Sequence, residues 1–260
     1  MQVKVYKTTW GMGGTPDEVL AKIAGANYEG WEDWIKPHFE VLALAKKHNL
    51  EYMAMVPGQS AEQFQRDINE AHDAAAVGCT VHVGQANMEY QQGLDLLGPL
   101  VEIAKTVPFP VNFETHRGRL LNEPLSTARY LKALPDLWLV ADLSHWTVVT
   151  ESMLGGFGDA LELAISRTRH THARVGHEEG PQVPDPRVKQ WEGHVKAFTV
   201  IWERIKLAHE KRGEKVITFD PEYGPPNYMW TNPETGQPLA DLWEICLWQT
   251  QKLRDLWVSK

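Results

Sequence analysis

The sequence predicts one α/β domain, a single (β/α)8 barrel spanning residues 1–260, and three observations carry that prediction. Short runs of β-branched and aromatic residues alternate eight times with longer amphipathic stretches. Eight units leave about 32 residues each, close to the roughly 30 that a strand, a helix and two short loops need. Finally, acidic and imidazole side chains recur at successive strand ends, where such barrels carry their chemistry. A doubly wound sheet would gather its chemistry at one glycine-rich turn. Here Gly11-Met12-Gly13-Gly14 lacks the G-x-G-x-x-G spacing, and no Walker-type phosphate loop is present.

The eight strands are expected at residues 3–9, 28–34, 52–56, 80–84, 111–115, 137–143, 168–174 and 216–220. Each is short and mostly apolar, as strands covered on both faces tend to be. A helix over 37–47 opens with Pro37 in its first turn and closes on Lys46-Lys47-His48-Asn49, basic residues suited to the carbonyl end of the helix dipole. Ser60 followed by Gln63 has the spacing of a capping box and starts a helix expected to run to Val77 before Gly78. A long helix over 187–212 stops at Gly213, and the last, over 239–256, carries Leu242, Ile245, Leu253 and Leu256 at core spacing.

Composition excludes several function classes. Lys and Arg number 26 against 34 Asp and Glu, a formal charge of −8, whereas a protein held on nucleic-acid backbones needs a basic face. Cys79 and Cys246 are too few and too far apart for a disulfide framework or a zinc cluster. The opening Met1-Gln2-Val3-Lys4-Val5-Tyr6 reads as a strand rather than a signal peptide, and no apolar run approaches the ~20 residues that span a bilayer. The expectation is a cytoplasmic protein with no nucleic-acid or membrane partner, with room left for a homo-oligomer.

Four segments place metal-ligand side chains at strand ends: Asn112-Phe-Glu114-Thr-His116-Arg117-Gly118, Ala141-Asp142-Leu-Ser-His145-Trp146, His170-Thr-His172-Ala-Arg174 and Asp220-Pro-Glu222-Tyr-Gly224. Glu114, Asp142, His172 and Glu222 follow one another at intervals of 28, 30 and 50 residues, the longest gap holding a Pro-rich loop and the long helix. A lone carboxylate in an apolar strand end loses hydration or takes up a proton, and a shared divalent cation removes that cost. Three carboxylates and an imidazole suit Mn²⁺, Co²⁺, Mg²⁺ or Zn²⁺. Ion pairing with Arg117, Arg169 and Arg174 would explain one or two of these acids but not all four at strand ends.

These segments, in this order, resemble those of the xylose isomerase-like TIM-barrel superfamily of sugar isomerases, ketose epimerases, inosose dehydratases and endonuclease-IV-type enzymes, over essentially the whole chain. The resemblance implies that Glu114, Asp142, His172 and Glu222 form a single-metal site, with Glu114 and Glu222 as the acid/base pair. His145 and Arg174 match positions that hold substrate oxygens. Such a site polarises a sugar carbonyl, so a proton moves through a metal-stabilised enediolate. The implied activity is a metal-dependent isomerase or epimerase acting on a small-molecule sugar. An inosose-dehydratase-like lyase on the same site is the alternative, with an abasic-site nuclease and a non-catalytic sugar-binding barrel behind it.

Further candidates follow from position. Trp10 and Trp146 stand just past strand ends, where an indole would pack on a sugar ring. Trp31, Trp191, Trp202, Trp243, Trp248 and Trp257 read as packing residues. Glu32 on the second strand, His82 on the fourth and His116 after Glu114 are expected near the mouth as substrate-binding groups. The Pro-rich loop over 180–186, with His177-Glu178-Glu179, is read as a weak lid.

Overall fold

The computed structural model describes residues 1–258, and of Trp257 and Val258 only the backbone; the reading of Trp257 as a packing residue therefore lies outside the described side chains. Eight parallel strands close into a barrel in sequence order: β1 (Gln2–Thr8), β2 (Gly30–Trp34), β3 (Glu51–Gly58), β4 (Gly78–Val83), β5 (Val111–Glu114), β6 (Leu139–Val140), β7 (Thr168–His172) and β8 (Val216–Asp220). β1 pairs with both β2 and β8, which closes the ring.

Local chemistry fixes the helix starts. α1 (Pro16–Gly25) has Thr15 and Glu18 in a reciprocal capping box, a device whose side-chain cap is worth about 1 kcal/mol. α2 (His38–His48) ends at Asn49 in the left-handed conformation. α3 (Ala61–Asp73) begins where Ser60 accepts from the Gln63 N–H, but it stops four residues before the expected Val77. α4 (Tyr90–Ala104) and α5 (Pro124–Ala133) start from Glu89 and Glu123. The short α6 (Ser144–Val149) and α7 (Gly158–Ser166) follow. α8 (Glu192–Lys211) starts one tight turn later than the sequence suggests and ends before Gly213, whose φ of +74° favours glycine. α9 is Leu242–Val258. Among the described residues, no helix is long and apolar enough to cross a membrane.

The strands differ from their expected apolar character in an informative way. Val5, Trp31, Val56, Val81, Phe113, Ile217 and Phe219 belong to the buried core shared with the helices. The alternate set is largely polar, with Met53 and Met55 of β3 as apolar exceptions. Thr80 of β4 and His170 of β7 both bond Glu32 of β2, and these strands are not neighbours, so the contacts pass through the barrel interior. β6 contributes only two paired residues against the seven expected, because the register with β7 shifts between Leu139 and Val140. Trp31, Trp191 and Trp202 are buried, and Trp243 and Trp248 pack against the core.

Candidate metal centre at the barrel mouth

The C-terminal ends of β5 to β8 bring together the four residues singled out in the sequence. Glu114 ends β5 and His172 ends β7, while Asp142 and Glu222 stand two residues beyond β6 and β8. One ligand atom from each lies within 4.8 Å of the other three, and all four side chains are buried. At metal–ligand distances of about 2.0–2.2 Å, ligands across an ion are at most about 4.4 Å apart, so the quartet would close on a cation with small shifts.

His172 shows which way the site faces. Its Nδ1 lies 3.1 Å from Glu114 Oε1 and 3.4 Å from Glu222 Oε2. Its Nε2 lies 3.3 and 3.2 Å from the two oxygens of Glu32. Nδ1 therefore faces the carboxylates while Nε2 faces Glu32, the arrangement in which an outer carboxylate would orient a metal-ligating histidine. Glu32 also accepts from Thr80 Oγ1 at 2.5 Å and from His170 Nε2 at 3.2 Å. His170 in turn meets Thr218 Oγ1 at 2.7 Å through Nδ1.

Electrostatics agree with a cation-ready pocket. Burial favours neutral acids, yet the imidazoles of His82 and His172 hold Glu114 well below the usual carboxylate range. Glu222 is held down against burial by His172 and Arg174. Asp142 goes the other way: burial, with the charges of Glu222 and Glu114, pushes it up to about 6 although Arg174 opposes this. His172 is raised well above its ordinary value, because Glu222, Glu32 and Glu114 outweigh burial. In this state a proton on Nδ1 stands where a cation would coordinate.

A cavity of about 290 Å³ opens above the quartet, with Glu114 and Glu222 in its wall. Of the expected substrate contacts, Trp10, His82, His116, His145 and Arg174 line it. His82 Nε2 is 2.5 Å from Glu114 Oε2, and the His116 and His145 rings lie 4.0 Å apart. Burial holds His116 down to about 4 and, with His116 and Arg174 nearby, holds His145 well below its ordinary value. Both shifts favour the neutral ring. Arg174 is buried, bonded to Asp142 and 3.3 Å from Glu222 Oε2, so it balances the carboxylates as well as facing the cavity. Trp10 lies against the backbone of Gly224, where a Cβ would come within 2.2 Å of its ring.

Two expected mouth contacts are corrected. Trp146 is wholly buried, because α6 begins directly after the Asp142 segment and turns its indole into the core, where Nε1 donates to Leu121 O at 3.1 Å. Glu32 is equally buried, one layer beneath the mouth, and its oxygens are taken by Thr80, His170 and His172. The Pro-rich loop is not a flap either: Gln182 is buried and exchanges two hydrogen bonds with the Gly224 backbone, 2.7 and 3.1 Å. Sequence reasoning missed Trp34, Arg119 and Tyr228, which also line the cavity. Trp34 was within reach, since it shares the inward face of Glu32 two residues further along β2.

No protein-family model matches the chain, and no curated protein sequence matches it. Solved structures do, across nearly its full length. A xylose isomerase-like TIM barrel protein from Mycobacterium smegmatis, in complex with magnesium, superposes with a TM-score of 0.63 at 10% identity, covering 97% of this chain and 96% of that one. The chain has the xylose isomerase-like TIM-barrel fold. The probable 3-DHS dehydratase AsbF from Bacillus anthracis gives a TM-score of 0.62 at 15% identity, over 96% and 98% of the two chains. A sugar phosphate isomerase/epimerase from Parabacteroides distasonis gives 0.59 at 11% identity over 86% and 87%. The matching structures thus carry names from several reaction classes, an AP endonuclease among them, and at these identities the likeness speaks for the fold alone.

Proposed function

We propose that the protein is a divalent-metal-dependent enzyme that moves a proton on a small sugar or keto-sugar, as an isomerase or epimerase. The observation that carries this is the pair Glu114 and Glu222, two carboxylates reaching His172 Nδ1 at 3.1 and 3.4 Å, both held ionised and both in the wall of one small cavity. A bound divalent cation would supply polarisation of the substrate carbonyl, and Glu114, Asp142, His172 and Glu222 would hold it.

The remaining roles fall to the chain's own groups. An ionised Glu accepts a proton from the carbon beside the carbonyl, and its partner, having first taken up a proton from solvent, returns one. Return to the opposite face of that carbon epimerises, and return to the neighbouring carbon isomerises. His145 Nε2 accepts from Arg174 Nη2 at 3.0 Å, which leaves a buried Nδ1–H without a protein partner among the described residues, a donor that a sugar hydroxyl would satisfy. His116 Nδ1 accepts the Gly118 N–H at 3.1 Å, so its Nε2 carries the ring proton. The exposed edge of Trp10 offers an apolar face for a sugar ring. The cavity volume sits at the lower end of the roughly 300–1,000 Å³ range of ligand pockets, suited to one sugar unit rather than a polymer.

A second reading, a lyase that expels a β-hydroxyl after the same proton abstraction, is favoured by the dehydratase named among the structural neighbours. A nucleic-acid substrate is disfavoured by the net charge of −8. The test is incubation of the metal-loaded protein with a panel of ketoses, 3-keto-glycosides and inososes in D₂O. Deuterium is expected at the carbon beside the carbonyl, with loss of exchange in Glu222→Gln. Mass loss of one water in the product selects the lyase, and unchanged exchange in the variant removes Glu222 from the chemistry.

A further inference from the structure

We infer that the opposite end of the barrel holds a second ligand site, for a small organic anion with an apolar body. A cavity of about 850 Å³ opens among the N-terminal ends of the strands, about three times the volume of the one at the mouth. Its wall is lopsided. Val101, Val107 and Phe109, from the end of α4 and the segment leading to β5, supply an apolar side. Asn112, Trp138, Arg169 and Lys215 supply polar and cationic lining at the strand ends.

The charges on this wall do not cancel. Three acids reach the cavity, and each is already matched: Glu51 by Lys4 at 2.5 Å, Asp136 by Lys105 at 2.7 Å and Glu214 by Arg212 at 2.9 Å. Among the described residues, Arg169 and Lys215 have neither an ion pair nor a side-chain hydrogen bond. The Arg169 guanidinium lies 3.6 Å from the centroid of the Trp138 ring, which holds its planar fork in place. Asn112 is only 4% exposed, and its Oδ1 has no partner. In this orientation its amide leaves a buried acceptor unsatisfied, a cost of about 1–3 kcal/mol that a ligand donor would relieve. An oxyanion head on Arg169 and Lys215, with an apolar body against Phe109 and Val101, matches the two unpaired cations and the apolar side of this wall, and a donor on that body would reach Asn112. The inference stands whether or not the mouth is a metal centre.

The head could be a carboxylate or a phosphate ester, so the probes are benzoate and phenyl phosphate, with inorganic phosphate as a head-only control. Calorimetric titration of the full chain at constant ionic strength should show one saturable site for at least one organic probe, weakened about tenfold or more in both Arg169→Gln and Lys215→Gln. Lys215 is exposed, so its variant keeps the fold intact if Arg169→Gln does not. Glu222→Gln, at the mouth, should leave this binding unchanged. No binding of either organic probe, wild-type affinity in both cavity variants, or loss of binding in Glu222→Gln would each overturn the inference. So would inorganic phosphate binding wild type and variants alike.

Discussion

Glu32 lies directly behind His172, its two carboxylate oxygens 3.3 and 3.2 Å from Nε2, while Nδ1 of the same ring faces Glu114 and Glu222. One buried carboxylate thus occupies Nε2 and would leave Nδ1 to coordinate a cation once its proton is displaced. Removing such an outer partner typically costs 10- to 100-fold in metal affinity. Glu32→Gln should therefore weaken Mn²⁺ binding by about that factor while all four candidate ligands remain. Calorimetry with Mn²⁺ checks it, and an unchanged affinity would make Glu32 a packing residue only.

Metal affinity should fall in acid. Asp142 sits at about 6 and His172 is raised well above its ordinary value, so both hold protons more tightly than isolated groups do. A cation binds their deprotonated forms and must expel those protons. Below pH 6 each proton so displaced costs about tenfold in apparent affinity per pH unit. Titrations in two buffers of different ionisation enthalpy should show proton release near pH 6, and a pH-independent affinity between 5 and 7 would contradict this.

Arg174 offsets the negative charge of Asp142 and Glu222 from a fully buried position. Taking away one partner of a buried ion pair leaves uncompensated charge and costs roughly 3–5 kcal/mol. Arg174→Gln should lower the Tm of metal-free protein by several degrees, yet gain more than wild type does when Mn²⁺ is added, because the cation then replaces the lost guanidinium. Equal metal-induced gains would show that Arg174 and the cation do not share the same carboxylates.

Gly224 has no side chain where Trp10 lies, and an added Cβ would sit 2.2 Å from the indole. Gly224→Ala should push Trp10 off the β8 end and raise KM for the substrate while metal content stays the same. The overpacking cost, about 1–3 kcal/mol, is readable as a lower Tm. A variant with unaltered KM would place Trp10 outside the substrate path.

Some of this site was readable from residues alone, and the limits have physical causes. Glu114, Asp142, His172 and Glu222 could be found because a parallel barrel delivers every strand end to one mouth, so spacing along the chain converts into proximity. Depth within the strand was harder to read. Glu32 and Trp34 share a face of β2, but only the later residue reaches the cavity, and that depends on strand stagger, which is set by pairing. Trp146 was misplaced because nothing in its neighbours marks the immediate start of α6. Tyr228 lies in the loop beyond β8, where no periodicity guides a reading, although its ring meets Trp10 at 4.9 Å. The β6 boundaries failed because a register shift cut its pairing short, and the end of α3 because Ala74 caps it before Gly78 is reached.

One divalent cation held by Glu114, Asp142, His172 and Glu222 is the centre of the proposed chemistry. Elemental analysis of the purified protein, repeated after dialysis against Mn²⁺, tests it most directly. About one equivalent per chain is predicted for wild type, with a raised Tm, and much less for Asp142→Asn. Metal-free protein that gains neither metal nor stability from Mn²⁺, Co²⁺, Mg²⁺ or Zn²⁺, or an Asp142→Asn variant that retains a full equivalent, would contradict it.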